Sequence, residues 1–248
     1  MFSKWLALFF LLHILGDFYF QTEKTAKEKS EKIGAVIKHS VVYGIVTIVP
    51  CSMFVNGKIL LVAVALSIAH GLVDIVKYFA VKPKRNRETR IFILDQILHV
   101  ACIILAAFAL HFVTGDVDLP QLVYEVTSVI GISFFDLVRW TALILFVCKP
   151  SGILIQSLIN NFKPEIATTH EEIKNAGRTI GYLERLIIII LMAMNQYAAI
   201  GLVITAKSIA RYEQLSTEKA FAEYYLLGTL LSLLTVISTG LLFLRYLG

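Results

Sequence analysis

Seven long apolar blocks divide the sequence, at roughly 3–20, 34–55, 59–81, 91–113, 130–148, 181–206 and 224–246. Each approaches the ~20 residues that a helix needs to cross a hydrocarbon core about 30 Å thick. Inside lipid the backbone must bond within its own segment, so these blocks are expected to be helices. Composition agrees. Of 248 residues 57% are hydrophobic and 17% charged, with mean hydropathy +0.75, whereas soluble domains carry about a quarter charged residues. A soluble protein would need an improbable number of wholly buried core helices. The expected fold is all-α, a polytopic transmembrane bundle of about seven spans.

The first block carries His13 and Asp17 and is followed by no small-residue cleavage site, so it reads as a span and not as a signal peptide. Cys51, Cys102 and Cys148 stand singly in apolar blocks, which argues against a disulfide framework or a structural zinc site. The net charge of +5 is accounted for by basic loops, and no nucleic-acid partner is expected. The fifth block is interrupted by Asp136 and Arg139 and ends at Lys149-Pro150; residues 151–162 then read as a helix lying at the interface, before Pro164.

Loop charge sets orientation. Lys24, Lys27, Lys29 and Lys32 fill the first loop, and Lys82, Lys84, Arg85, Arg87 and Arg90 the third. The second has little beyond Lys58, and the fourth has Asp116, Asp118 and Glu125 without a basic residue. The N-terminus is therefore expected outside and the C-terminus in the cytoplasm. Lys207, Arg211 and Lys219 resist this scheme, because they fall on the outer side. The corresponding organisation is a four-helix unit over 1–113, an extracytoplasmic loop over 114–134, and C-terminal membrane helices over 135–248 with a cytoplasmic loop at 149–180.

The first four blocks share an unusual polar pattern: His13-x3-Asp17-x3-Gln21, His39-x3-Tyr43, His70-x3-Asp74 and Asp95-Gln96-x2-His99. Residues four apart lie one above the other on a helix, so each helix presents its polar pair on one side. The loop-charge topology also brings all of them to a similar depth near the cytoplasmic face, although it was derived without them. His13/Asp17 and His70/Asp74 recur at the same offset, as a weak internal repeat of two helical hairpins with the site between them.

Such groups are costly in lipid, about 2.5–3.5 kcal/mol for a central aspartate. With the basic residues mostly in loops, the expected partner is a divalent cation, Zn, Mn or Fe, as one ion or two. The candidate ligands are His13, Asp17, His39, His70, Asp74, Asp95 and His99, with Gln21, Tyr43 and Gln96 orienting ligands or substrate. A network of interhelical hydrogen bonds is the alternative. Haem held by two histidines would leave three carboxylates unexplained.

Other signals are blander. His111 and His170 read as solvated, and Asp136 with Arg139 as a structural pair. Gly177-Arg178 through Glu184-Arg185 could meet lipid headgroups or phosphate, or serve as a basic flank. There is no P-loop, G-x-S-x-G or H-E-x-x-H, no Glu-x-x-His within the spans, and no multi-histidine box of the desaturase kind.

The N-terminal motifs, together with Gly177-Arg178-x2-Gly181-x2-Glu184-Arg185, Ala206-Lys207-Ser208 and Glu223-Tyr224 through Gly228-Thr229, resemble the bacterial integral-membrane family labelled domain of unknown function 3307. The resemblance covers most of the chain and implies a multi-pass protein of the bacterial cytoplasmic membrane, without an activity to carry over. More loosely, the paired His-x3-Asp helices are similar to membrane-bound metal-dependent hydrolases and to zinc transporters of the cation-diffusion-facilitator type.

The leading expectation is a metal-dependent hydrolase facing the cytoplasm, acting on an anionic, phosphorylated or lipid-linked substrate. Asp95 is the candidate general base. A divalent-cation transporter is the alternative, and a non-catalytic membrane interaction protein a third. The apolar run Phe9-Phe10-Leu11-Leu12 beyond His13 favours an enzyme, since a transporter needs a wettable path past its site.

Overall fold

The computed structural model describes residues 1–80, 88–114, 119–163 and 176–246. Lys82, Lys84, Arg85, Arg87, Asp116, Asp118, Pro164 and His170, used above, lie outside them. Every regular element among the described residues is helical. Among the described residues six segments are long and apolar enough to cross a membrane: Phe2–Tyr19, Ile33–Ser52, Gly57–Ala80, Thr89–Val113, Phe134–Ile159 and Lys219–Tyr246. The described residues separate into two compact units, one within Met1–Ala142 and the other within Leu143–Tyr246.

In the first unit α1 (Phe2–Ile14) continues into a π turn, Leu15–Tyr19, and a short α2 (Glu23–Glu28) is capped by Thr22, whose Oγ1 accepts from the Thr25 amide. Then come α3 (Ile33–Ser52), α4 (Gly57–Ala80) and α5 (Glu88–Val113). The Asn56 side chain accepts from the Lys58 amide and starts α4. Helices α3 and α4 pack together, α5 lies against both α4 and α1, and the π turn touches α3. The result is a four-helix bundle. After it come α6 (Gln121–Ile130), closed by Gly131 at φ 72°, and α7 (Phe134–Cys148).

The faces of α3 show what surrounds the bundle. Val36, His39, Tyr43, Thr47 and Cys51 are buried, whereas Ile37, Val41, Ile45 and Val49 point outward and are more than half exposed. On α4, Leu61, Ile68, Leu72 and Val76 repeat this pattern. Continuous outward apolar stripes on adjacent helices suit lipid and not water.

Two expectations about the second unit are corrected. The candidate fifth span does not stop at Lys149-Pro150 but runs on through Ile159, into the stretch expected at the interface. Instead α8 (Pro150–Ile159) follows α7 directly, with Pro150 at its first position, where a missing N–H is tolerated. Carbonyls near the junction are met by Arg185, which donates to Val147 at 2.5 Å and to Cys148 at 3.1 Å. Gly152 and Gly181 leave room for it, since a Cβ on either would lie 3.1–3.2 Å from the guanidinium. Arg185 of the 177–185 motif thus has a structural role.

The second correction concerns the block 181–206, which is not one span. It breaks into α9 (Ala176–Ala193) and α10 (Tyr197–Ile209), with Asn195 between them at φ 57°. Asparagine is one of the few residues that adopts this left-handed conformation readily. Lys207 Nζ lies 2.6 Å from Glu184 Oε2 and 3.3 Å from Thr229 Oγ1 on α11 (Lys219–Leu241). In one straight helix residues 184 and 207 would stand about 34 Å apart, at 1.5 Å per residue. The chain therefore doubles back, which explains why Lys207 and Arg211 contradicted a charge rule that assumed a crossing.

The hairpin has a direct test. In a background with the three native cysteines changed to alanine, Arg178→Cys and Arg211→Cys should react with an impermeant maleimide from the same side of oriented vesicles. Reaction from opposite sides would restore a single crossing helix.

Candidate metal centre

The polar residues of the first four helices meet inside the four-helix bundle. His13, His39, His70 and His99 are each at most 2% exposed, Asp74 is 2% and Asp95 7% exposed, and the Asp17 side chain is 7% exposed. Asp17 sits at the middle. Its Oδ1 accepts from Nε2 of His70 at 2.9 Å and from Nε2 of His39 at 3.1 Å, while its Oδ2 is 3.8 Å from Nε2 of His13. The rings of His70 and His99 are 4.2 Å apart, and His13 stacks on His99 at 5.4 Å.

The sequence pairs are therefore used across helices. His70 bonds to Asp17 of the π turn that continues α1, not to its own Asp74, and both hairpins contribute to one cluster. The π turn carries Asp17. One wider turn inside a membrane helix changes the direction of the residue it holds, and such turns occur often at functional sites.

Close packing fixes the rings. Tyr43 stacks on His70 with centroids 3.5 Å apart and planes 20° from parallel. Gly16 permits this, because a Cβ there would lie 2.7 Å from Tyr43 Cδ2. Gly71 makes similar room for Ser40. Gln96 donates to Asp95 at 3.4 Å, a long contact. Gln21, at the end of the first span, is only partly buried.

The expectation that the carboxylates lack cationic neighbours is corrected. Lys29 Nζ lies 2.6 Å from Asp74 Oδ2, and Lys77 Nζ 2.8 Å from Asp95 Oδ2. Lys77 was legible, since it lies seven residues after His70 and so on the face of His70 and Asp74. Lys29 was not, because it comes from the segment between helices, where any lysine satisfies the charge rule. Among the described residues no ion pair joins Asp17 to a lysine or arginine, so imidazoles alone face it.

One tautomer follows from chemistry. His99 Nδ1 is 2.8 Å from the Asp95 carbonyl, which can only accept, so Nδ1 carries the proton. Its Nε2 lone pair is buried without a hydrogen-bond partner. On His39 and His70 the Nδ1 atoms are likewise buried and unmet.

Three sets of residues could hold an ion, with ligand atoms within 4.8 Å of one another: His13 with Asp17 and His70; His39 with His70 and Asp74; and Asp74 with Asp95 and His99. Ligands bound at about 2.0–2.2 Å in a tetrahedral or octahedral shell stand about 3.0–3.5 Å apart. The 2.9 and 3.1 Å separations around Asp17 Oδ1 are already close to that spacing.

A scan of protein families matches residues 5–130, half of the chain, to the family described as protein of unknown function (DUF3307). The chain belongs to that family. The match contains all seven histidines and aspartates of the cluster as well as Lys29 and Lys77, and it ends before the Gly177–Thr229 motifs. Neither the curated proteins nor the solved structures contain a match.

Packing around Gly16 yields a paired test. Gly16→Ala should cost about 1–3 kcal/mol by overpacking against Tyr43. Gly44→Ala, with nothing within 4 Å of its Cβ, should gain about 0.5–1 kcal/mol from helix propensity. Thermal unfolding in detergent reads both; equal effects would mean that Gly16 is not a contact glycine.

Proposed function

We propose that the four-helix bundle is an intramembrane metal centre near the cytoplasmic face, and that it serves a metal-dependent hydrolase. Asp17, His13, His39 and His70 hold at least one divalent ion, Zn, Mn or Fe, with Asp74, Asp95 and His99 beside them. The observation that carries the reading is the meeting of two Nε2 atoms on one carboxylate oxygen that no lysine or arginine neutralises. A buried carboxylate facing only imidazoles is also a poor structural device, because an apolar core would pack as well without desolvating a charge.

An ion at such a site acidifies water toward neutral pH and so supplies a nucleophile. The chain's own residues orient the ligands: Tyr43 by its stack on His70, and the Asp95 carbonyl by fixing the His99 tautomer. The basic N-terminal loop draws an anionic substrate, phosphorylated or lipid-linked, toward the membrane surface.

Hydrolysis is favoured over transport by the other half of the bundle. Toward the N-terminus of α1 the core is Trp5, Leu8, Phe9 and Leu12, with Ile59, Ala63 and Leu66 of α4 and Ile103, Ala107 and Leu110 of α5. Ser67 in this region spends its hydroxyl on the Ala63 carbonyl. A divalent ion leaving that way would meet only Thr47 and Cys51 of α3 on the buried faces named here, too few donors to replace four imidazoles and carboxylates.

Purified full-length protein in nanodiscs should contain at least ~0.5 equivalent of a divalent metal per chain. Asp17→Asn should lose it, and proteoliposomes should show no metal flux. Metal-free protein whose thermal stability ignores chelators would leave a hydrogen-bonded network only. Flux abolished by Asp17→Asn would make the protein a transporter.

A further inference from the structure

Beside the Asp17 cluster, three buried atoms make no hydrogen bond, although one of them, Asp95 Oδ1, lies 3.8 Å from His99 Nδ1. Each lysine ion pair uses the Oδ2 atom of its aspartate, Lys29 on Asp74 and Lys77 on Asp95. The Oδ1 atoms of both aspartates are buried and make no hydrogen bond, and neither does Nε2 of His99. The bond from His99 Nδ1–H to the Asp95 carbonyl leaves that Nε2 as a bare lone pair. Ligand atoms of Asp74, Asp95 and His99 lie within 4.8 Å of one another. A lysine cancels a carboxylate's charge, yet an ammonium on one oxygen leaves the lone pairs of the other unmet. Two such oxygens and an imidazole nitrogen are a donor set suited to a divalent cation.

We propose that Asp74, Asp95 and His99 form a second divalent-cation position, making the bundle a two-metal centre for phosphate monoesters, an assignment that rests on the metal site proposed above. The two ligand sets adjoin. His70 and His99 have ring centroids 4.2 Å apart, and Asp74 Oδ2 is 3.5 Å from His39 Nε2. Asp74 thus lies between the sets, where a carboxylate can serve both ions. Paired ions about 3.5–4 Å apart clamp the attacking and leaving oxygens of an in-line displacement at phosphorus.

Charge selects the ester. With neutral imidazoles, the carboxylates of Asp17, Asp74 and Asp95 and the ammonium groups of Lys29 and Lys77 leave one negative charge. Two divalent ions turn this into three positive charges. Hydroxide and a monoester dianion return the centre to neutrality, whereas a singly charged diester leaves a positive charge uncompensated in a low-dielectric site. In the reaction, water oxygen bonds to phosphorus as the ester P–O bond breaks. One proton of that water ends on the leaving oxygen, giving an alcohol and inorganic phosphate.

Mn²⁺ titration of the full chain in nanodiscs, followed by electron paramagnetic resonance, tests the assignment. Wild type should bind two equivalents and give an exchange-coupled spectrum. Asp95→Asn should bind one, with the spectrum of an isolated ion. Loaded wild type should cleave p-nitrophenyl phosphate at least tenfold faster than bis(p-nitrophenyl) phosphate. Saturation of wild type at one equivalent overturns the second position whether or not Asp95→Asn folds, and so does an Asp95→Asn protein that keeps two coupled ions. Faster diester cleavage overturns the substrate class. If one ion binds and depends on Asp17, only this second position fails; if wild type binds none, the metal centre itself fails with it.

Discussion

A carboxylate drawn into a helical bundle must be balanced by whatever its neighbouring helices carry, and Asp17 meets three imidazoles from three helices. Much of the first unit follows from that constraint. Helices α1, α3 and α4 must approach closely enough for His39 and His70 to reach one oxygen, and α5 must bring His99 against His70. The small residues beside the motif make this possible, because Gly16 admits Tyr43 and Gly71 admits Ser40. A π turn then carries Asp17 toward the cluster. The dry half of the bundle, from Trp5 to Leu110, supplies the apolar packing on which a buried polar cluster relies.

The remaining carboxylates are handled differently, and the difference organises the site. Asp74 and Asp95 each spend one oxygen on a lysine, so their charge is compensated while their second oxygens stay turned to the interior. Full neutralisation by salt bridges would have made an inert cluster, and none would have made one too costly to bury. With neutral imidazoles the observed mixture leaves the cluster with one net negative charge and several unmet donor atoms, which is why a cation is proposed to fill it.

Most of the spans and the buried histidines and aspartates that meet in the bundle were legible because lipid makes polarity conspicuous: a histidine or aspartate in an apolar block cannot be missed. Helical periodicity placed His70 and Asp74 on one face correctly. It missed what depends on departures from regularity. The π turn at Asp17 has no compositional mark. Lys29 resembles any positive-inside lysine, and only the fold brings it to Asp74. The break at Asn195 was hidden because apolar residues run through it on both sides, so a length count saw one crossing where the chain turns back. Conversely, Lys149-Pro150 looked like an end because proline usually stops a helix. Arg185, thirty-odd residues later, donates to the Val147 and Cys148 carbonyls beside that junction.

X-ray absorption at the metal edge of purified, metal-loaded protein tests the central claim most directly, since it reports the ligands themselves. Imidazole nitrogens and a carboxylate oxygen should appear at about 2.0–2.2 Å, with the outer-shell scattering of at least two histidine rings, and Asp17→Asn should abolish that signal. A shell of water oxygens only, unchanged in Asp17→Asn, would contradict a metal centre built on Asp17 and its histidines.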